Sequence, residues 1–256
     1  MCLAIIALDA HPRYRLVVAA NRDEFHARAA SRAAWGADAT FMNILAGRDL
    51  EAGGTWLGVR RDGRFALVTN VRGGSAHDPA ARSRGELVPR LLNTLAAPDH
   101  ALRDIADTQG RYNGFNLLVG DATSVLWMSN RSADVERFTD GVHGLSNALI
   151  NTPWPKLSRT VARVQQWASV GDADTAPLFK ALADRAPAPD ALLPATGIAI
   201  ERERLLSAPF IVSDRYGTRC STVFTIDRAG HAHFHERSFD AKGNATFEAS
   251  EEFTVA

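Results

Sequence analysis

The sequence has few cysteines and lysines and no net charge. Its 256 residues include two cysteines, Cys2 and Cys220, and only three of its 29 basic residues are lysines. Two cysteines exclude a disulfide framework and favour a reducing compartment, so we expect a cytoplasmic protein. The basic residues are balanced by 29 acidic residues, which gives no electrostatic reason to expect nucleic acid or an anionic membrane as a partner.

Long apolar runs are missing as well. Residues 3–8 are apolar, but no basic segment precedes them, and the run is too short for a signal peptide or a membrane span. N-myristoylation requires glycine at the second position, where this chain has cysteine. No internal repeat or low-complexity linker divides the chain, so we expect a single domain over residues 1–256, with the oligomeric state left open.

The sequence also lacks the usual cofactor motifs. No glycine-rich phosphate loop lies between a strand and a helix, and there is no Cys-x-x-Cys-His haem attachment. His231, His233 and His235 alternate along one predicted strand, which would suit zinc, but no fourth ligand accompanies them. We interpret them as the solvent side of a strand whose Ala232 and Phe234 face the core, and we predict no metal site.

Strand patterns dominate both ends of the sequence. Apolar runs at residues 3–8 and 15–20 predict a hairpin, and residues 55–60 and 64–70 predict a second one around the Asp62-Gly63 turn. Residues 114–119 and 124–129 also resemble strands. Residues 220–227 and 231–239 predict a last hairpin.

Helical patterns occupy the middle of the sequence. Ser83 and Glu86 have the spacing of a capping box ahead of a leucine-rich run, and further helices are predicted at residues 101–109, 156–170 and 176–185. Residues 186–194 are rich in alanine and proline and predict a loop. Helices between two groups of strands predict an α+β fold with antiparallel sheets.

Cys2 is the first candidate for chemistry, because it directly follows Met1. Aminopeptidases remove an initiator methionine that precedes a small residue, and removal would leave a thiol and a free α-amine on one residue. An α-amine titrates near pH ~7.7–8.0 and can serve as the base for its own nucleophile. The alternative interpretation is a buried cysteine that merely opens a strand.

The first hairpin brings polar residues to this cysteine. Pairing outward from its turn is expected to put Ala20, Asn21 and Arg22 opposite Met1 and Cys2.

Three side chains in this segment suit different steps of thiol chemistry. Arg22 would lower the pKa of a neighbouring thiol, Asp23 would orient the α-amine, and the amide of Asn21 could donate to an oxyanion.

Other candidates stand at the ends of later strands. Asn70 ends the second strand of the second hairpin and is expected near the glycine pair 53–54. Asn147 is also expected at the end of a strand. Arg219 and Cys220 are neighbours on one strand and therefore face opposite ways. If Arg219 points into a site, Cys220 points into the core and has a structural role.

Six ordered blocks, together with Met1 and Cys2, resemble the NRDE-motif family, the homologues of the transport and Golgi organisation protein. The blocks are residues 20–25 (ANRDEF), 53–58 (GGTWLG), 84–87 (RGEL), 112–117 (YNGFNL), 144–147 (GLSN) and 216–219 (YGTR). The resemblance runs from Met1 to about Phe239. It implies a four-layer αββα sandwich of the N-terminal-nucleophile hydrolase type, with antiparallel sheets.

The cysteine members of that hydrolase type, penicillin V acylases and bile-salt hydrolases, are similar in layout. Cys2, Asp23, Asn70, Asn147 and Arg219 stand at points comparable to their pattern. The loop departs from that pattern, since asparagine and arginine are transposed here.

Two functions follow from the resemblance. The first is an amidase: Cys2 attacks a small amide, its freed amine accepts the proton, Asn70 and Asn147 hold the oxyanion, and Asp23 and Arg219 organise the amine and the thiolate. It requires no cofactor. The second is a non-catalytic protein that binds and traffics haem, a lipid or acyl-CoA in the same cleft. Haem as cargo would need an axial ligand, for which Cys2, His26, His77 and His143 are candidates.

Overall fold

Two antiparallel sheets carry the fold. The computed structural model describes residues 2–36, 38–73 and 78–255, so Met1 and the candidate ligand His77 lie outside the described residues. The strands of the described part are β1 (Cys2–Leu8), β2 (Tyr14–Phe25), β3 (Ala34–Trp35), β4 (Ile44–Ala46), β5 (Leu57–Arg60), β6 (Phe65–Asn70), β7 (Phe115–Gly120), β8 (Val125–Ser129), β9 (Glu136–Arg137), β10 (Gly141–Leu145), β11 (Tyr216–Asp227), β12 (His231–Phe239) and β13 (Ala245–Thr254). The first sheet has the order β10-β1-β2-β11-β12-β13, and the second runs from β3 to β9 in sequence order.

Helices cover the outer face of each sheet. The α-helices are α1 (Leu87–Asn93), α2 (Pro98–Ala106), α3 (Pro155–Val170), α4 (Ala176–Leu182) and α5 (Ile200–Leu206). Single 3₁₀ turns occupy Arg84–Glu86, Gln109–Arg111 and Asp190–Leu192. Within the described ranges, no helix is both long enough and apolar enough to cross a bilayer.

Three apolar clusters define the layers. One lies between the two sheets and includes Ile6, Leu67 and Trp127. A second joins α1 and α2 to the second sheet, and a third joins α3 and α4 to the first sheet. The order of layers is therefore helix, sheet, sheet, helix, which confirms the expected α+β fold and its αββα sandwich.

β1 shows why the sequence produces this layering. Ala4 and Ile6 pack between the sheets, whereas Leu3 and Ile5 pack against the helices. Both faces of the strand are buried, and a strand buried on both faces reads as a continuous apolar run. Cys2 has the same parity as Ala4, so it stands on the inter-sheet face at the end of the strand.

The first hairpin is confirmed, but its second strand is longer than expected. Arg22 stands opposite Cys2, whereas Asn21 stands opposite Leu3 rather than at the chain end. β2 continues to Phe25, so the polar segment 21–24 is part of a central strand and not a loop at its end. It pairs with β1 on one side and with β11 on the other.

The second hairpin is also confirmed. β5 and β6 pair around Gly63, which has a φ of 80° and so adopts the conformation that glycine allows at a turn. The expected strands near residues 114–129 are β7 and β8, and the last hairpin is β11 with β12.

Several helix predictions need correction. The capping box does not form: Ser83 makes no side-chain cap bond, and Glu86 accepts a hydrogen bond from Tyr112 Oη at 2.6 Å instead. The helix expected at residues 101–109 is α2, which starts at Pro98, and α4 ends at Leu182 rather than at residue 185. The loop at 186–194 contains the turn Asp190–Leu192, and α5 and β13 were not predicted.

The core side of the histidine strand is as expected, but only His231 of the three histidines is exposed, and His233 and His235 are half-buried. Ala232 and Phe234 are buried. His231 bonds Asp227 on one side, whereas His235 bonds Glu248 on another strand. Among the described residues, no group of three or more histidine, cysteine or acidic residues is arranged to hold a metal ion.

Candidate active site

A pocket of about 380 Å³ opens where β1 begins and where β2 and β6 end. Cys2 lines it together with Arg22, Asp23 and Asn70, and residues 78, 79 and 81–85 also belong to its wall. Cys220 does not line this pocket; it is buried, as expected for a structural cysteine. The register of the first hairpin therefore places the candidate nucleophile in an accessible polar cavity.

Arg22 forms the wall beside the thiol. It is 6% exposed, and its guanidinium carbon lies 4.3 Å from the ring centre of Trp56. Because Cys2 and Arg22 are paired residues on adjacent strands, their side chains leave the sheet on the same face. Sequence reasoning identified Arg22 but did not identify its partner Trp56.

Asp23 is held by β11. Its Oδ1 atom accepts a hydrogen bond from Thr218 Oγ1 at 2.7 Å, and its backbone carbonyl accepts one from Tyr216 Oη at 2.9 Å. Burial raises the pKa of the Asp23 carboxyl, and the positive charge of Lys156 opposes that rise.

The thiol of Cys2 is less acidic than the sequence led us to expect. Burial raises its pKa, and the negative charge of Asp23 raises it further. Arg22 acts in the expected direction and lowers the pKa, but it does not outweigh burial. The thiol is therefore protonated at neutral pH, and a nucleophilic role would require a base.

Asn70 and Asn147 form one unit. The amide nitrogen of Asn147 donates to both the backbone carbonyl and Oδ1 of Asn70, each at 3.0 Å. Ser146 connects this unit to the first strand, since its hydroxyl donates to the carbonyl of Cys2 at 3.3 Å. Asn147 is fully buried and Asn70 lines the pocket, so the amide nitrogen of Asn70 is the donor left to face a ligand.

Two of the predicted site residues, Asn21 and Arg219, form hydrogen bonds outside the pocket. The amide nitrogen of Asn21 donates to the carbonyls of Leu182 and Pro209, both at 2.9 Å, so it faces the helical layer. Arg219 Nη1 donates to the carbonyls of Phe25, His26 and Arg28. Neither side chain lines the pocket beside Cys2.

Two charged residues near the site were missed by sequence reasoning. Lys156 is 1% exposed, and burial lowers its pKa from 10.5 to about 8. A lysine in the first turn of a helix faces the positive end of the helix dipole, which is unfavourable. This position could have marked Lys156 as a candidate from the sequence. Arg84 lines the pocket, and only its place in the RGEL block marked it.

The described haem-ligand candidates do not meet in this pocket. His26 Nε2 lies 2.9 Å from the carbonyl of Ser213, and His143 Nε2 lies 2.8 Å from that of Thr139. Of the described candidates, only Cys2 lines the cavity.

Comparison with known proteins identifies the family. The family model described as Transport and Golgi organisation 2 matches residues 1–241. The chain belongs to this family. The Transport and Golgi organization 2 homolog of Mus musculus is 33% identical over 280 residues, covering 100% of this chain and 99% of the mouse protein. The Homo sapiens homolog is 35% identical with the same coverage.

Solved structures with a similar arrangement are more distant. An N-acylethanolamine-hydrolyzing acid amidase ortholog of Caenorhabditis elegans has a TM-score of 0.49 at 10% identity, covering 87% of this chain and 92% of that one. The C2A mutant of conjugated bile acid hydrolase from Clostridium perfringens has a TM-score of 0.47 at 8% identity, with 100% and 98% covered. Both TM-scores are below 0.5, whereas the mammalian members of the Transport and Golgi organisation 2 family are similar to this chain over their whole length.

Proposed function

We propose that this chain is a cysteine amidohydrolase of the N-terminal-nucleophile type, with Cys2 as the nucleophile. The observation that carries the proposal is the placement of Cys2 in a pocket of about 380 Å³ with Arg22, Asp23 and Asn70 in its walls. Such a pocket has the size of a small-molecule site. The substrate is accordingly a small amide, and no cofactor takes part.

The raised pKa of the thiol explains why the α-amine matters. Removal of Met1 would free the amine of Cys2, which takes the thiol proton while the sulfur bonds to the amide carbonyl carbon. The resulting ammonium returns the proton to the leaving nitrogen as the carbon–nitrogen bond breaks. Water then hydrolyses the thioester and releases the acid.

The neighbouring side chains support the charges that develop. Asn70, held by Asn147, donates its amide nitrogen to the oxyanion. Asp23 binds the freed ammonium, and Arg22 stabilises the thiolate from the adjacent strand. Asn21 and Arg219 act indirectly in this scheme. Asn21 ties β2 to the helical layer, and Arg219 binds backbone carbonyls at and after the end of β2.

The contacts of the site do not favour a haem or lipid carrier. The described lining of the cavity includes four arginines and four acidic residues, whereas apolar cargo is held by apolar walls. We retain the cytoplasm as the proposed compartment because Cys2 and Cys220 are both free thiols.

The two cysteines provide a matched test. Hydrolysis of a panel of small acyl p-nitroanilides should fall at least about 100-fold in Cys2→Ser and Cys2→Ala, because the nucleophile is lost. Cys220→Ser should keep the wild-type rate, since Cys220 lies outside the pocket. Intact mass of protein from the native host should show that Met1 is absent. A retained Met1, or unchanged turnover in Cys2→Ala, would contradict the proposal.

A further inference from the structure

The pocket beside Cys2 contains cations of two kinds. Two of its arginines are neutralised by acidic partners: Arg28 forms an ion pair with Asp49 at 2.7 Å, and Arg82 forms one with Glu86 at 2.8 Å. The Arg82 side chain is largely exposed, whereas the pair of Arg28 and Asp49 is more buried. Their charges are compensated, so they give no reason to expect a bound anion.

Arg22 and Arg84 differ from Arg28 and Arg82 in their surroundings. Within the described part of the chain, neither has a carboxylate within ion-pair distance. Arg22 is more than nine-tenths buried, and its Nη1 atom has no hydrogen-bond partner among the described residues. Arg84 donates Nη1 to the carbonyl of Gly114 at 3.0 Å, and burial lowers its pKa. Glu24 acts on Arg84, and Glu236 acts on Arg22, only from beyond ion-pair distance. The two buried cations are therefore only partly compensated, and a bound anion would stabilise them.

Backbone packing fixes Arg84 in this position. The amide of Thr55 donates to the carbonyl of Gly85 at 3.0 Å. A Cβ atom on Gly54 would lie 2.3 Å from the Gly85 carbonyl carbon, so only glycine allows this approach. The two glycine-containing blocks therefore press together and hold Arg84 in the wall, where its charge interacts with the thiol of Cys2.

We propose that the acyl part of the substrate carries a carboxylate and that Arg84, in the pocket that Arg22 also lines, binds this group. The proposal rests on the proposed function, because it assigns one end of the amide that Cys2 attacks. A guanidinium matches the planar geometry of a carboxylate and binds it with two parallel hydrogen bonds. Glu24 and Asp78 also line the pocket and would repel a dianionic phosphate more than a monoanionic carboxylate.

Alkylation of Cys2 tests the anion subsite without requiring hydrolysis. Iodoacetate and iodoacetamide differ only in a carboxylate and a neutral amide. Each forms a bond between the sulfur and the methylene carbon and releases iodide. The rate at Cys2, measured by peptide mass spectrometry, should show a ratio of iodoacetate to iodoacetamide that falls about tenfold in Arg84→Gln.

A nearby arginine provides the control. Arg82→Gln removes the same charge from the same pocket, but Arg82 is paired with Glu86, so the ratio should stay at the wild-type value. Thermal unfolding of both variants verifies that they fold. An unchanged ratio in Arg84→Gln, or a Cys2 that reacts with neither reagent, would overturn the subsite.

A pair of substrates separates this inference from the proposed function. Succinyl p-nitroanilide should be hydrolysed faster than butyryl p-nitroanilide, and Arg84→Gln should abolish the preference by raising KM for the succinyl compound. If neither anilide is hydrolysed while the alkylation ratio responds to Arg84, the hydrolase fails and the anion subsite stands. If both are hydrolysed equally in wild type and variant, the hydrolase stands and the carboxylate is wrong.

Discussion

Lys156 has an unusual environment for a lysine. It stands in the first turn of α3, almost fully buried, and its Nζ atom has no hydrogen-bond partner among the described residues. Burial lowers its pKa from 10.5 to about 8, opposed by Asp23 and reinforced by Arg72. The charge of Glu203 also favours its protonated form.

This burial predicts an unusual pH dependence of stability. Between pH 8 and 10.5 the unfolded chain binds a proton at Lys156 that the folded chain has lost, so this residue makes the free energy of unfolding rise with pH. Relative to Lys156→Met, the wild type should gain up to roughly 3 kcal/mol across that window. Urea unfolding at several pH values from 7.5 to 10.5 measures the difference.

An exposed lysine serves as the control for that measurement. Lys180 lies on α4 and is exposed, so Lys180→Met should follow the wild-type curve at every pH. Parallel curves for wild type and Lys156→Met would show that Lys156 is protonated to the same extent in both states, against the lowered pKa.

At the scale of elements, β2 shows how tertiary contacts override local preference. Asn and Asp are poor strand formers, so the sequence predicts that the strand ends before Asn21. In the structure Asn21 bonds Leu182 and Pro209, and Asp23 bonds Thr218. Those partners are more than 150 residues away along the chain, so local sequence contains no information about them.

The contact between the two glycine blocks leads to a prediction at the same scale. Gly54→Ala would put a methyl group 2.3 Å from the Gly85 carbonyl carbon, and backbone cannot yield as a flexible side chain can. We expect a loss of about 1–3 kcal/mol in the free energy of unfolding, together with a lower iodoacetate preference at Cys2 as Arg84 moves. Chemical denaturation and the alkylation ratio measure the two effects.

Gly110→Ala is the matched control, because a Cβ atom there meets nothing within 4 Å. It should change neither stability nor the alkylation ratio by a measurable amount. A Gly54→Ala protein with wild-type stability and ratio would show that the blocks are not held by this contact.

The elements that the sequence predicts well are those with local signals. Hairpins with a clear turn and the long helix α3 were placed to within a few residues, because their patterns are contained in the segments themselves. β13 and α5 were missed for a physical reason. β13 is mostly exposed, and α5 reads IERERLL, so neither has an apolar pattern that stands out from a loop.

The same distinction applies to the site. The pairing of Cys2 with Arg22 could be predicted because the register of a hairpin can be counted from its turn. Asn70 could be predicted because it ends the second strand of the next hairpin. Lys156 and Arg84 approach the pocket from the two helix-bearing layers. Their positions could not be predicted from the register of a hairpin, because neither residue lies on a strand.

At the scale of the whole molecule, Arg72 contacts residues from several separate segments of the fold. Its backbone amide donates to the carbonyl of Asn147 at 2.7 Å, and its guanidinium carbon lies 4.7 Å from the ring centre of Trp154. Its Nη1 atom pairs with Glu203 Oε2 on α5 at 2.5 Å, and Glu203 also accepts a hydrogen bond from Thr196. The pair therefore ties the end of β6 to the helical layer behind β2.

This buried pair predicts how strongly the layers are coupled. Arg72 and Glu203 side chains are 8% and 3% exposed, so Glu203→Gln leaves an uncompensated cation and should lower the free energy of unfolding by about 3 kcal/mol or more. The double variant Arg72→Met/Glu203→Leu should lose less than the sum of the single variants, because no unpaired charge is left. Asp190→Asn, which removes the exposed pair with Arg204, should leave stability nearly unchanged. Urea unfolding of Arg72→Met, Glu203→Leu, their double variant, Glu203→Gln, Asp190→Asn and the wild type measures the coupling. Additive losses in the double variant would show that the layers are held together without this pair.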